Sequence, residues 1–309
     1  MTSISITCDW LGKTQRVAVW QDNKLRDLYF NNSAKPDLTG AIVGGKITRI
    51  MAGQKTAFLD CGLEEQVRVT NFGQGRTGDY LALKITKVPR EGKAWTGALH
   101  NKDVSNSKIG ILEKPLLPWQ RAVEYLKGTK IKSIQFAECE DYKACQYWIE
   151  ENRPELLTAL QPVSREPVHP DLDDIIDQLM QPHVELAGGG NIVIQETEAL
   201  VAIDVNNAEN RNSLAVNLEA AKEIACQIRW RNLSGIIIVD ALKMSQRTDK
   251  AKVLNAITKA VAVDPVSVSV FGLTKLGLIE MTRKHDGFSL SEIMFGLSNG
   301  EYSGPDYVE

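Results

Sequence analysis

The chain has 309 residues, enough for about two domains, and 43% of them are hydrophobic, enough to bury substantial cores. Lys and Arg total 36 against 39 Asp and Glu, a net charge of −3, so a global basic footprint for nucleic acid is absent and any such patch must be local. No apolar run approaches a membrane span, the N-terminus lacks the apolar core of a signal peptide, and the five cysteines include no Cys-x-x-Cys pair. Unpaired thiols in a reducing cytoplasm are expected.

In chain order, "RVAVW" (16–20) and "LRDLYF" (25–30) flank the turn "QDNK" and predict a hairpin. The turn-rich "NNSAKPDLTG" (31–40) marks a first boundary. From 41 to 100, short strand-like runs follow one another between glycines, without helical periodicity. That pattern predicts a small antiparallel barrel. Residues 44–94 carry nine basic and five acidic residues, a local +4, with Phe58, Phe72, Tyr80 and Trp95 interleaved. Cations and rings on a small barrel suit single-stranded nucleic acid, where phosphates pair with charge and bases stack. An ordinary solvated face over core aromatics fits the same residues equally well.

Beyond the barrel, "PWQRAVEYLKG" reads as helix, "IKSIQFA" as strand and "DYKACQYWIEENRPELL" as helix. "HPDLDDIIDQLMQPHVEL" reads as one amphipathic helix. The triple glycine of "LAGGGNIVI" lacks the spacing of a phosphate loop and predicts a tight hairpin turn.

The most informative stretch is 192–244. "NIVI" and "ALVAIDVN" pair around "QETE"; "NLEAAKEIACQIRWR" (217–231) is a helix with Asn217 as its N-cap. "GIIIVDALKM" is another buried strand. Both apolar strands end on an acid, Asp204 and Asp240. Each Asp alone fits a turn opener. A parallel crossover pair, however, places both strand ends on one sheet edge, roughly 5 Å apart. Two carboxylates so close repel unless a cation compensates. Asn206, two residues past Asp204, points to the same face. Oxygen-only ligands in an incomplete shell suit Mg²⁺, which retains waters and meets phosphate.

"TEALVAIDVN", "NLEAAKEIACQIRWRNLSGIIIVDALKM" and "LTKLGLIEMTRKH" (273–285) closely resemble the ribonuclease E/G family of bacterial endoribonucleases. Upstream, "RVAVWQDNKLRDLYF", "VGGKITRIMAGQKTAFLDCGLEE" and "ITKVPREGKAWTGAL" are similar to further family blocks, in the family's order. The resemblance implies a mixed α/β architecture. An RNase H-like subdomain (1–38 and 100–184) is interrupted by an OB-fold RNA-binding domain (39–99), and a DNase I-like catalytic subdomain follows (185–309). It implies Asp204 and Asp240 as Mg²⁺ ligands, with Asn206 assisting. Phe58 stands where a base is stacked, and Arg68 where a second stacking aromatic is usual. Arg90 and Lys93 match basic residues near the scissile phosphate, and Lys275 stands where an arginine lies near RNA. The implied reaction is hydrolysis of single-stranded RNA to 5′-phosphate and 3′-hydroxyl ends in a cytoplasmic protein, with no membrane partner.

The departures carry expectations too. An Arg-Thr-Ala-like 5′-end sensor motif is missing from the short segment 97–186, so acceleration by a 5′-monophosphate is not expected. The Cys-x-x-Cys zinc link is missing, so a zinc-linked dimer is not expected. Lys243 replaces an acid often found three residues after the second Asp. That replacement and the short middle keep open an alternative: a weak or inactive RNA-binding relative of the family.

Overall fold

The computed structural model describes residues 3–89, 94–104, 108–164, 167–169, 171–209 and 211–298. Two compact units emerge: Lys35–Leu117 with His285–Phe288, and the remainder.

The larger unit opens with strands β1 (Ile4–Leu11), β2 (Thr14–Gln21) and β3 (Lys24–Asn32). The expected hairpin is therefore the second half of a three-stranded meander. Among the described residues the smaller unit carries six strands: β4 (Ile42–Met51), β5 (Thr56–Asp60), β6 (Val67–Thr70), β7 (Tyr80–Lys87), β8 (Trp95–His100) and β9 (Gly110–Glu113). Strands β4 to β8 close in the order β4-β5-β6-β8-β7 and back to β4, with β6 and β8 parallel. This is a closed five-stranded, OB-like barrel. Strand β4 serves three neighbours, pairing β7, β9 and then β5. Gly45 sits at the changeover, where a Cβ would lie 2.4 Å from Cys61 Sγ. Val43, Ile47, Leu59, Val67, Leu83 and Ile85 fill the barrel.

The larger unit resumes with α1 (Pro118–Tyr125), β10 (Ile131–Phe136), α2 (Cys139–Asn152) and α3 (Leu172–Met180). Strand β10 pairs parallel with β1, giving the sheet order β10-β1-β2-β3. The long helix expected over "DYKACQYWIEENRPELL" breaks at Arg153, because Pro154 disfavours helical backbone before it, and a short 3₁₀ turn follows. The helix expected across "HPDLDDIIDQLMQPHVEL" stops at Met180. Pro182 cannot continue it, and His183–Glu185 become strand β11.

Strands β12 (Asn191–Glu196) and β13 (Val201–Asn206), helix α4 (Ser213–Trp230), strand β14 (Gly235–Asp240), helix α5 (Arg247–Val261), strands β15 (Val268–Leu273) and β16 (Ile279–Arg283), and helix α6 (Leu290–Ser298) complete it. The second sheet runs β11-β12-β13-β14-β16-β15. Alternation is strict on its central strands. Val201, Ile203, Val205, Ile237 and Val239 are buried in one core with α4 and α5, while Asp204 and Asp240 are exposed. One face therefore packs on helices and the other carries the polar residues. No helix among the described residues is long and apolar enough to cross a membrane. All five cysteines are free thiols, as expected.

Candidate active site and nucleic-acid interface

The two strand-end acids meet. Strands β13 and β14 pair parallel, and Asp204 stands directly opposite Asp240. Register-matched residues on adjacent parallel strands lie about 5 Å apart at Cα and send side chains to the same face. Both carboxylates are exposed, so a cation and its waters have access. Asn206 follows on the same face and is half-buried. Its Nδ2 donates to Asn191 Oδ1 at 3.2 Å, which fixes the amide orientation.

Register shows what else reaches this edge. Asn191 opens β12 opposite Asn206, so the turn before β12 lies here. It is the hairpin expected from the triple glycine: Gly189 N–H donates to Leu186 O, and Leu186 N–H to Gly190 O. Gly190 has φ +87°, and a Cβ there would fall 2.6 Å from Asn206 O, so the close approach requires glycine. Arg211 Nη1 donates to Gly189 O at 2.5 Å and to Glu219 Oε2 at 3.0 Å; Glu219 Oε1 accepts from Gly188 N–H at 2.6 Å. The Gly188 N–H, then Arg211, hold the Glu219 carboxyl below its ordinary range. The turn is thus docked on α4 beside Asn206. On the other flank, Val239 pairs Ile279 antiparallel, so the β15–β16 turn extends past Asp240 at the same edge. Lys275 lies exposed in that turn.

Asn217 does not cap α4. The helix starts at Ser213 with Asn212 as N-cap, whose side chain accepts from Leu214 N–H at 2.8 Å. Asn217 is instead buried, bonded to both backbone groups of Leu242.

Among the described residues no cluster of three or more His, Cys, Asp or Glu side chains forms a metal cage. Two facing carboxylates, an oriented amide and open solvent are nonetheless an oxygen donor set of the kind Mg²⁺ takes, since it binds through one or two carboxylates and completes its shell with water and phosphate.

The barrel forms its own site. Phe58 on β5 points outward, because Ala57 and Leu59 point in. It faces Arg49 on β4 and Arg68 on β6 in register. The Arg49 guanidinium lies 4.3 Å from the Phe58 ring centroid. Arg68 pairs in turn with Thr96, and Thr96 with Lys87. One row across the barrel therefore reads Arg49, Phe58, Arg68, Thr96, Lys87: a ring among three cations. The aromatics divide, with Phe72 and Trp95 in the core while Phe58 and Tyr80 lie near cations. Arg49 was not among the residues expected here. Arg90 and Lys93 lie outside the described residues.

Comparison with known proteins gives consistent relatives. The model of the ribonuclease E/G family matches residues 85–286, about two thirds of the chain. Ribonuclease G of Haemophilus influenzae is 23% identical over 403 aligned positions, covering 95% of this chain and 82% of that protein. Ribonuclease G of Escherichia coli is 30% identical over 212 positions, covering 65% of this chain and 43% of that protein. Ribonuclease E of a Nostoc species is 42% identical over 125 positions, 38% of this chain and 18% of that protein. The chain thus spans less than half the length of the latter two relatives.

Proposed function

The chain belongs to the ribonuclease E/G family of endoribonucleases, and we propose that it hydrolyses single-stranded RNA internally with Mg²⁺ held between Asp204 and Asp240. The observation that carries this reading is the register match of those two carboxylates on the open end of a parallel strand pair. A bound Mg²⁺ supplies positive charge to a phosphoryl oxygen and an activated water. The chain's own residues do the rest. Asp204 and Asp240 set the ion's position, and Asn206, oriented by Asn191, assists beside it. Water attacks phosphorus and the bond to the 3′ oxygen breaks. The 3′ oxygen takes a proton, leaving a 3′-hydroxyl and a 5′-phosphate.

On the barrel, Phe58 stacks a base, and Arg68 stacks or pairs with the backbone. Arg49 joins them through its contact with the Phe58 ring. Arg90 and Lys93 are assigned to the scissile phosphate, and Lys275 to the RNA backbone. In this reading residues 1–38 and 100–184 are RNase H-like, 39–99 the OB-fold insert and 185–309 DNase I-like. The setting is cytoplasmic, in keeping with the free thiols. No 5′-monophosphate sensing is proposed. Matched oligonucleotides with 5′-phosphate and 5′-hydroxyl ends should be cut alike, and a large preference for the phosphate would refute it.

Lys243, exposed three residues past Asp240, favours the second reading of a weak nuclease that mainly binds RNA. A labelled A/U-rich single strand separates the two. Cleavage that requires Mg²⁺, stops with EDTA and disappears in Asp204→Asn while binding persists supports the nuclease. Binding without cleavage supports the second reading, and cleavage retained in that variant overturns the metal-site assignment.

A further inference from the structure

We propose that Asn217 is a positioning residue for the metal site, acting through the backbone that follows Asp240; this rests on the reading of Asp204 and Asp240 as ion ligands. Asn217 lies on the helix stripe of Ala221, Ile224 and Ile228, which packs against the sheet. It is 2% exposed. A primary amide on that stripe is costly unless its donor and acceptor are both satisfied. Both are. Nδ2 donates to Leu242 O at 2.9 Å, and Oδ1 accepts from Leu242 N–H at 3.0 Å.

The target of this two-way clamp is informative. The ladder to β16 stops at Val239, and the ladder to β13 stops at Asp240. From Ala241 to Gln246 the chain has no regular structure. Asp240 is therefore the last residue held by the sheet, and Leu242 the first point at which the departing chain is tied down again. Asp240 sits between two anchors, one in β14 and one on α4. The helix that connects the two acid-bearing strands thus also reaches across to fix the end of the second. Only an amide side chain of this length meets an N–H and a C=O of one residue together. Aspartate keeps the acceptor and loses the donor, and leucine loses both. Partners that orient a metal ligand from outside the coordination shell have large effects on affinity.

The test uses the full chain and Mn²⁺ binding followed by electron paramagnetic resonance, with hydrogen exchange at the Leu242 amide. Asn217→Leu should raise the Mn²⁺ half-saturation by about 10- to 100-fold and speed exchange at Leu242. Cleavage should recover at saturating metal, because the ligands themselves remain. Ile224→Val, a core change on the same helix that leaves the clamp intact, should leave Mn²⁺ affinity unchanged. Should Asn217→Leu fail to fold, Asn217→Ala makes the same test, removing both hydrogen bonds without a bulky or charged group. Faster exchange at Leu242 with unaltered Mn²⁺ affinity would overturn the proposal. Asp240→Asn separates the two layers. If that variant loses Mn²⁺ and Asn217→Leu does not, the clamp proposal alone fails. If Asp240→Asn keeps full Mn²⁺ affinity, the metal-site reading fails and takes the clamp with it.

Discussion

Replacing Phe58 by leucine removes the π face while keeping an apolar side chain on β5. Phe58 is half-buried, with Ala57 and Leu59 on either side facing the barrel core, so the substitution leaves the core residues untouched. Losing the Arg49 contact costs about 0.5–1 kcal/mol of barrel stability. Losing a stacked base costs about 1–3 kcal/mol of binding, or about 5- to 150-fold in Kd. The flanking cations give the measurement a second axis. Stacking is insensitive to salt, whereas each phosphate contact contributes about 0.7 to the slope of log K against log salt for a single strand. Phe58→Leu should therefore weaken binding of a short single-stranded RNA at every salt concentration, with the slope unchanged. Arg68→Gln should lower the slope if its guanidinium pairs with phosphate, and leave it unchanged if it stacks. Fluorescence anisotropy across a salt series reads both quantities. Unchanged affinity in Phe58→Leu, with the protein still folded, would refute the row as an RNA platform.

Three further outcomes follow from the larger unit. Arg283 is bound to Asp264 through Nε at 2.8 Å and Nη2 at 3.2 Å, and its Nη1 donates to Asn232 Oδ1 at 2.7 Å, with both charged side chains 2% exposed. Arg283→Met leaves Asp264 buried without its partner and should cost about 3–5 kcal/mol, read by calorimetry; a loss under about 1 kcal/mol would contradict it. Burial pushes the Asp9 carboxyl up, but the His169 ring, 3.4 Å away, and two hydrogen bonds from Arg16 outweigh it and hold it at about 2. Its folded value lies below the unfolded one, so its contribution of about 2 kcal/mol is present above pH 4 and lost as pH falls toward 2. Asp9→Asn should remove that part of the acid sensitivity, and an unchanged slope of stability against pH in this window would count against the network. Lys243→Glu exchanges a cation for a carboxylate three residues past Asp240. It should tighten Mn²⁺ about fivefold, from about 1 kcal/mol of screened attraction, and unchanged or weaker binding would place Lys243 away from the ion.

The acid-bearing edge was legible because two apolar runs each end on an acid and bracket one helix. A strand, helix, strand order is that of a parallel crossover pair, which puts both acids at one edge; the structure adds the register, with Asp204 directly opposite Asp240. The barrel was legible from short glycine-bounded strands. The placement of Asn217 was not. An asparagine before "LEAAK" has the chemistry of an N-cap, but Asn212 takes that role five residues earlier, and nothing local reveals that the Asn217 amide meets a backbone 25 residues away. Arg49 was hidden for a related reason. A register shift between Ile47 and Arg49 sets which β4 residue stands beside Phe58, and alternation alone does not reveal it. Strand β11 was masked by the helical periodicity running into it, with Pro182 the one signal that the helix must end.

The most direct test of the central claim is the number of Mn²⁺ ions bound by the full chain, compared with Asp204→Asn and Asp240→Asn. If the two carboxylates share one ion, each single variant loses the same single site, and the double variant loses no more than either alone. Two sites lost independently, or a site that survives both substitutions, would contradict the account.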